Sequence, residues 1–188
     1  HRDAPRRARA AAVMDRAELA RAIYDASHLT GTFTLRSGAT SHEYFDKYRF
    51  ESDPVLLHAI GEALAPLVPD GTDLLAGLEL GGVPLAVAVS SITGLPALFV
   101  RKEAKTYGTC QLAEGGELEG RRITVVEDVV TSGGQVLLSC ADLRDRGAIV
   151  EHALCVIDRE AGGPAALHDI GVEARPLFTM SELKAAVT

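Results

Sequence analysis

Between Ile123 and Gln135 the apolar run Ile-Thr-Val-Val leads into two adjacent carboxylates, two valines and then Thr-Ser-Gly-Gly. No other segment constrains the fold as much. A strand without polar alternation needs cover on both faces, and a glycine turn directly after it opens a helix that can supply that cover. The second half of the chain repeats this unit. Leu74–Leu80 reads as an apolar strand, Pro84–Ile92 as a helix, and Ala97–Val100 as a strand ending in Arg101-Lys102. Ile123–Val126 is a strand, Gly134–Arg146 a helix stopped by Gly147, and Val150–Ile157 a further strand. The pattern predicts an α/β fold, with a doubly wound parallel sheet from about residue 70 to about 160. Ligands of such sheets bind beyond the carboxyl ends of the strands, so the residues after each strand are the ones to read for chemistry.

The first half is built differently. Asp15 with Glu18 forms a helix start, and Leu19, Ile23 and Ala26 follow at helical spacing. Thr32–Phe50, rich in Thr, Phe and Tyr and broken at Ser37-Gly38, reads as a hairpin. Asp53-Pro54 opens a second helix with Leu57, Ile60 and Leu64 on one face, bounded by Pro66 and Pro69. Residues 1–13, rich in Arg and Ala, are expected to be a disordered extension outside the fold. Residues 14–188 are expected to form one domain: an N-terminal helix-and-hairpin subdomain over 14–70, the sheet core over 71–160 and a C-terminal segment over 161–188.

Composition removes several classes of function. A net charge of −7 argues against a nucleic-acid partner, which needs a basic face. Val83–Val100 carries no charge, but Ser90, Ser91, Thr93, Gly94 and Pro96 interrupt it, so it is not a membrane span. Cys110, Cys140 and Cys155 form no CxxC pair and leave an odd thiol, which points to a reduced, cytoplasmic protein. The histidines His28, His42, His58, His152 and His168 show no metal-ligand spacing.

The segment after the Ile123 strand suits a ribose phosphate. Backbone N–H groups of Thr131, Ser132, Gly133, Gly134 and Gln135, at a helix N-terminus, can cradle a phosphate dianion. The Thr131 and Ser132 hydroxyls add donors. Glu127 and Asp128 cannot favour a phosphate, but they can accept hydrogen bonds from ribose hydroxyls. A plain strand–turn–helix connection would need at most one capping acid, not two beside Thr-Ser-Gly-Gly. The segment is neither a Walker A loop nor GxGxxG.

This segment resembles the signature of the type I phosphoribosyltransferases: a hydrophobic strand, two acids, two apolar residues and Thr-x-Gly. The resemblance implies that Glu127 and Asp128 hold the ribose hydroxyls of phosphoribosyl pyrophosphate (PRPP). It implies that Val129 and Val130 line the same loop, and that Thr131 through Gln135 hold the 5′-phosphate. Phe99–Thr109, with Arg101, Lys102 and Lys105, is similar to the mobile catalytic loop of the orotate-specific members, with Gly108, Gly115, Gly116 and Gly120 as joints. Leu78-Glu-Leu80-Gly81-Gly-Val-Pro84 looks like their pyrophosphate turn. Phe33-Thr-Leu-Arg36-Ser-Gly38 followed by Tyr44-Phe45-Asp-Lys47 looks like their base-binding hairpin, and Arg159 stands where an arginine contacts orotate. A guanidinium fork suits the oxygens of a carboxylated base. The implied orotate contacts are Arg36, Tyr44, Phe45, Thr131 and Arg159. Three positions depart from many members: Gly81 replaces a turn lysine, Tyr107 a loop histidine, and Arg36 a hairpin lysine.

The implied reaction joins orotate to PRPP, giving orotidine 5′-monophosphate and pyrophosphate in pyrimidine biosynthesis, with Mg²⁺ held mainly by PRPP and water. Lys105 would stabilise the leaving group and Asp128 the positive anomeric carbon, with no protein nucleophile. The resemblance also implies a homodimer whose loop 101–116 acts on the partner's PRPP. Two other readings stay open at this point: a purine or uracil phosphoribosyltransferase, and a PRPP-binding regulator of the same fold.

Overall fold

The computed structural model describes residues 14–35, 38–103 and 112–188. Arg36, Lys105, Tyr107 and Cys110, and the extension 1–13, lie outside the described residues. Helix α1 (Arg16–Ser27) begins in a reciprocal capping box: Glu18 N donates to the Asp15 carboxylate at 2.8 Å, and Asp15 N donates to Glu18 at 3.0 Å. Strands β1 (His28–Thr34) and β2 (Thr40–Phe45) form an antiparallel hairpin, but not over the expected Thr32–Phe50: it begins at His28 and ends at Phe45, because residues 48–50 turn into a helix. Helices α2 (Tyr48–Ser52) and α3 (Pro54–Leu64) follow, the latter capped by Asp53 with Pro54 in its first turn. The buried stripe of α3 runs through Leu56, Ile60 and Leu64. Leu57, expected on that stripe, is only partly buried, because the spacing of four brings Leu56 into line instead.

The main sheet has the order β5-β4-β3-β6-β7-β8. Its strands are β3 (Leu74–Leu78), β4 (Ala97–Val100), β5 (Ala113–Glu114), β6 (Arg122–Val130), β7 (Ile149–Asp158) and β8 (Glu173–Thr179), and all pairings except β4 with β5 are parallel. The intervening helices are α4 (Gly82–Thr93), α5 (Gly134–Asp145) and α6 (Gly163–Asp169), and α7 (Met180–Ala185) follows β8. Side chains alternate between two cores as the pleat requires. Leu75 of β3 joins the cluster containing Ile23, Phe50, Ile60 and Leu85, so α1 to α4 cover that face. Leu74, Ala76 and Leu78 join the other, with Val136 and Leu143 of α5 and Leu167 of α6. This is the doubly wound sheet expected from the apolar strands.

Three expectations about the sheet need correction. The sheet does not stop near residue 160, since β8 pairs with β7 through Asp158↔Thr179. Strand β6 does not end at Val126: β7 offers it a ladder partner as far as Val130↔Asp158, so both acids sit inside the strand. Conversely, β3 ends at Leu78, and Leu80 is 61% exposed in the turn that follows. The successor of β3 lies on one side of it, whereas β6, β7 and β8 advance in the opposite direction. The sheet therefore reverses its winding between β3 and β6, and the crevice at their carboxyl ends is where a doubly wound fold binds ligands.

Candidate active site

Two turns meet at that crevice. After β3, residues 79–82 lead into α4, with a cis peptide between Glu79 and Leu80. After β6, Thr131 and Ser132 are exposed and Gly133 caps α5 with φ +83°, a backbone state that only glycine takes without strain. The turn is braced from behind: Arg159 N donates to Val130 O at 2.8 Å, and Gly163 N donates to Thr131 O at 3.0 Å. Val130 is buried in one core and Val129 packs against the other, so the backbone is what these two residues present to a ligand.

Between the turns lies a buried charged centre. Asp128 is fully buried, and Lys47 Nζ approaches both its oxygens, Oδ1 at 2.9 Å and Oδ2 at 2.7 Å. Val129 N donates to Oδ1 at 2.5 Å, and Asp128 N donates to Glu127 Oε1 at 2.9 Å. Glu127 and Glu51 are buried beside it. Burial, reinforced by the charge of Asp128, pushes the Glu127 carboxyl up to about 8 and that of Glu51 up to about 9. Burial disfavours the Lys47 ammonium, but its hydrogen bond to Asp128 and the nearby carboxylates outweigh this and hold it above its usual range.

The turn after β3 lies directly on this centre. A Cβ on Gly81 would fall 1.7 Å from Asp128 Oδ2 and 2.8 Å from Glu51 Oε1. Arg101, at the end of β4, pairs with Glu114 at 3.3 Å, and Lys102 N donates to Glu79 Oε2 at 2.9 Å. On the hairpin side, Tyr44, Phe45 and Arg159 line one cavity of about 310 Å³ together with Tyr24, His28 and Met180. Gln135 is exposed on the first turn of α5.

The model of the phosphoribosyl transferase domain family matches residues 50–171, from α2 to the end of α6, and so includes both turns. The chain belongs to the phosphoribosyl transferase family. Its relatives within the family include the orotate phosphoribosyltransferase of a Nocardioides species, 56% identical over 170 residues, with 90% of this chain and 95% of the relative covered. The orotate phosphoribosyltransferase of Methanocella arvoryzae is 47% identical over 153 residues, covering 81% of this chain and 87% of the relative. Among solved structures, orotate phosphoribosyltransferase of Mycobacterium tuberculosis in complex with PRPP superimposes with a TM-score of 0.77 at 31% identity, covering 90% of this chain and 98% of that one.

Sequence reasoning named Asp128 and Glu127, read Lys47 only as the end of the base-binding hairpin, and gave Glu51 no role; the structure sets Lys47 on Asp128. The spacing of four residues between Lys47 and Glu51, at the start and within α2, was the available signal, since it aligns two side chains on one helical face. Their common partner, Asp128, is 81 positions from Lys47 and only folding reveals it.

Proposed function

We propose that this chain is an orotate phosphoribosyltransferase, transferring ribose 5-phosphate from PRPP to orotate and releasing orotidine 5′-monophosphate and pyrophosphate. The observation that carries this reading is the buried acidic pair of β6 beside the Thr131–Gln135 turn, at the point where the sheet reverses. The names of its relatives select orotate as the base.

On this reading the N–H groups of Thr131 to Gln135 and the N-terminus of α5 bind the 5′-phosphate, while Glu127 and Asp128 accept from the ribose hydroxyls. The Leu80-Gly81 turn contacts pyrophosphate, and Arg101, Lys102 and Lys105 supply cations to it. Arg36, Tyr44, Phe45, Thr131 and Arg159 receive orotate. Displacement at the anomeric carbon passes through an oxocarbenium-like state, so the residues act by positioning and by charge rather than as nucleophiles. Asp128 would stabilise that developing positive charge. The carboxylate oxygens of Glu127 and Asp128 are hard donors that fit a Mg²⁺ carried mainly by PRPP and water, and the ion would neutralise pyrophosphate charge when bound. We also place the enzyme in the cytoplasm, in keeping with two free, buried cysteines, Cys140 and Cys155. No helix among the described residues is long and apolar enough to cross a membrane.

The test is PRPP-dependent loss of orotate absorbance, with uracil and adenine as competing bases. Consumption of either control in place of orotate would overturn the assignment.

Two expectations attach to loop 101–116. Lys105→Ala should lower kcat by about 10²-fold with little change in the KM for PRPP, because contacts from a closing loop form mainly in the transition state. A raised KM at unchanged kcat would refute that role. The loop should also act across a homodimer, the commonest soluble assembly. Mixing inactive Lys105→Ala with inactive Asp128→Asn under subunit exchange should restore activity, because one site of each mixed dimer then carries neither defect. A mixture that stays inactive after verified exchange rules the trans loop out.

A further inference from the structure

Strand β7 ends at Asp158, and the turn that follows carries Arg159 to the cavity lined by Tyr44, Phe45, Met180 and Lys184. The backbone of this turn is pinned at its β7 end. Arg159 N donates to Val130 O at 2.8 Å, and Glu160 N donates to the buried Asp158 carboxylate at 2.9 Å. Glu160 then takes φ +59°, the one non-glycine residue with a positive φ among the described residues. A Cβ makes that conformation costly, whereas glycine adopts it freely, as Gly162 does at φ +90°. A side chain kept in that region needs surroundings that hold it there.

Those surroundings are the first turn of α7. Glu160 Oε2 accepts from Ser181 N at 2.9 Å and from Ser181 Oγ at 2.6 Å. The amide is one of the N–H groups that a helix start leaves without an intrahelical partner. Glu160 and Ser181 are exposed, and hydrogen bonds open to water add little to stability. Stability is therefore a poor account of a residue that glycine would replace without strain. Position is a better one. Met180, just before Ser181, and Lys184, one turn later, form one wall of the cavity, and Arg159, just before Glu160, forms another. The Arg159 guanidinium enters no ion pair among the described residues, so its direction rests on the backbone of the turn.

We infer that Glu160 is a positioning residue for the base: it clamps the Arg159 turn to the start of α7 and so holds Arg159 in place at the cavity. The inference rests on the proposed role of Arg159 in receiving orotate. A guanidinium fork grips a carboxylate only when two N–H groups meet two oxygens, so a small rotation of the turn loses the match. Asp158 and Val130 fix the turn on the sheet side, and Glu160 fixes it on the helix side. Helix α7 is in turn tied to α1, since Arg16 Nη2 donates to Glu182 Oε1 at 3.0 Å and to Leu177 O at 2.8 Å. The clamp thus joins Arg159 to the frame that carries Tyr24 into the same cavity. The Glu160 carboxylate bonds to Ser181 and to no residue assigned to PRPP, so its loss should be felt by the base alone.

The experiment reads the clamp and the base separately. In ligand-free Glu160→Gly, amide hydrogen exchange at Ser181, 21 positions away in sequence, should accelerate by about tenfold. The variant should melt within a few degrees of the wild type, because glycine relieves the backbone. In the orotate assay its KM for orotate should rise by about tenfold, while kcat and the KM for PRPP stay within about twofold. Glu160→Gln, which keeps a side-chain oxygen for Ser181, should stay within about threefold of the wild type. Unchanged exchange at Ser181, or an unchanged orotate KM in an active Glu160→Gly, overturns the inference. So does an equal rise in the KM for PRPP, which would mark a general loosening of the fold. A protein whose Ser181 exchange responds but which consumes no orotate sinks the proposed function, and the role of Arg159 with it, and leaves the clamp as a structural contact.

Discussion

Asp128→Asn should lower kcat/KM by about 10³-fold while the protein stays folded. Asn keeps the size of the side chain and one carbonyl acceptor, so Val129 N retains a partner. It loses the negative charge on which the rest of the centre is built. Lys47, drawn to Asp128 at 2.7 and 2.9 Å, would be left without its counter-ion, although its side chain is 35% exposed and can turn toward solvent. The ribose would lose a charged acceptor, and the positive anomeric carbon a stabilising anion. Circular dichroism melts beside steady-state kinetics separate the two effects. Near wild-type turnover would sink the ribose assignment, whereas loss of the folded signal would show that the ion pair is structural first. Glu127→Gln should be milder, because the Glu127 carboxyl already titrates up to about 8 and carries less charge near neutrality.

How legible this site is depends on how local its determinants are. The Thr131–Gln135 turn could be read because its demands are local: hydroxyls, two glycines and a helix start within five residues. The strands could be read where both faces are buried, as along Leu74–Leu78. Strand β8 could not, since it lies at the sheet edge, is only partly buried and contains Pro176, which removes a ladder donor and reads as a break. Helix α6 lies in the 161–188 segment, to which the sequence assigned no element: Gly162, Gly163 and Pro164 are poor helix formers, yet proline suits the first turn of a helix. The charged centre was half legible. Glu127 and Asp128 are adjacent in sequence, whereas Lys47 and Glu51 join them only once α2 is laid against the carboxyl end of β6.

The same packing changes the meaning of Gly81, which stands where many family members carry a lysine. If the turn merely lacked a charge, Gly81→Lys would restore it. The expected result is the opposite: Gly81→Lys and Gly81→Ala should each lower kcat/KM by about 10²-fold or more and destabilise the fold by about 1–3 kcal/mol. For a chain of this size that is a fall of roughly several degrees in Tm. Conformation is not the obstacle, because Gly81 has φ −68° and ψ −26°, open to any residue. Space is. The new Cβ would lie 1.7 Å from Oδ2 and 2.5 Å from Cγ of Asp128, whose carboxylate is held by Lys47 and by Val129 N. Something must shift, and whatever shifts displaces the carboxylate that meets the ribose. Leu80→Ala, one residue away and largely exposed, is the control and should melt like the wild type. The sharpest comparison uses Lys47→Ala. If Gly81→Lys rescues that variant, the turn needs a cation and the close packing described here is wrong. If the double variant is no better than Lys47→Ala alone, the cation of this site belongs to the start of α2, and glycine is required in the turn to make room for its partner.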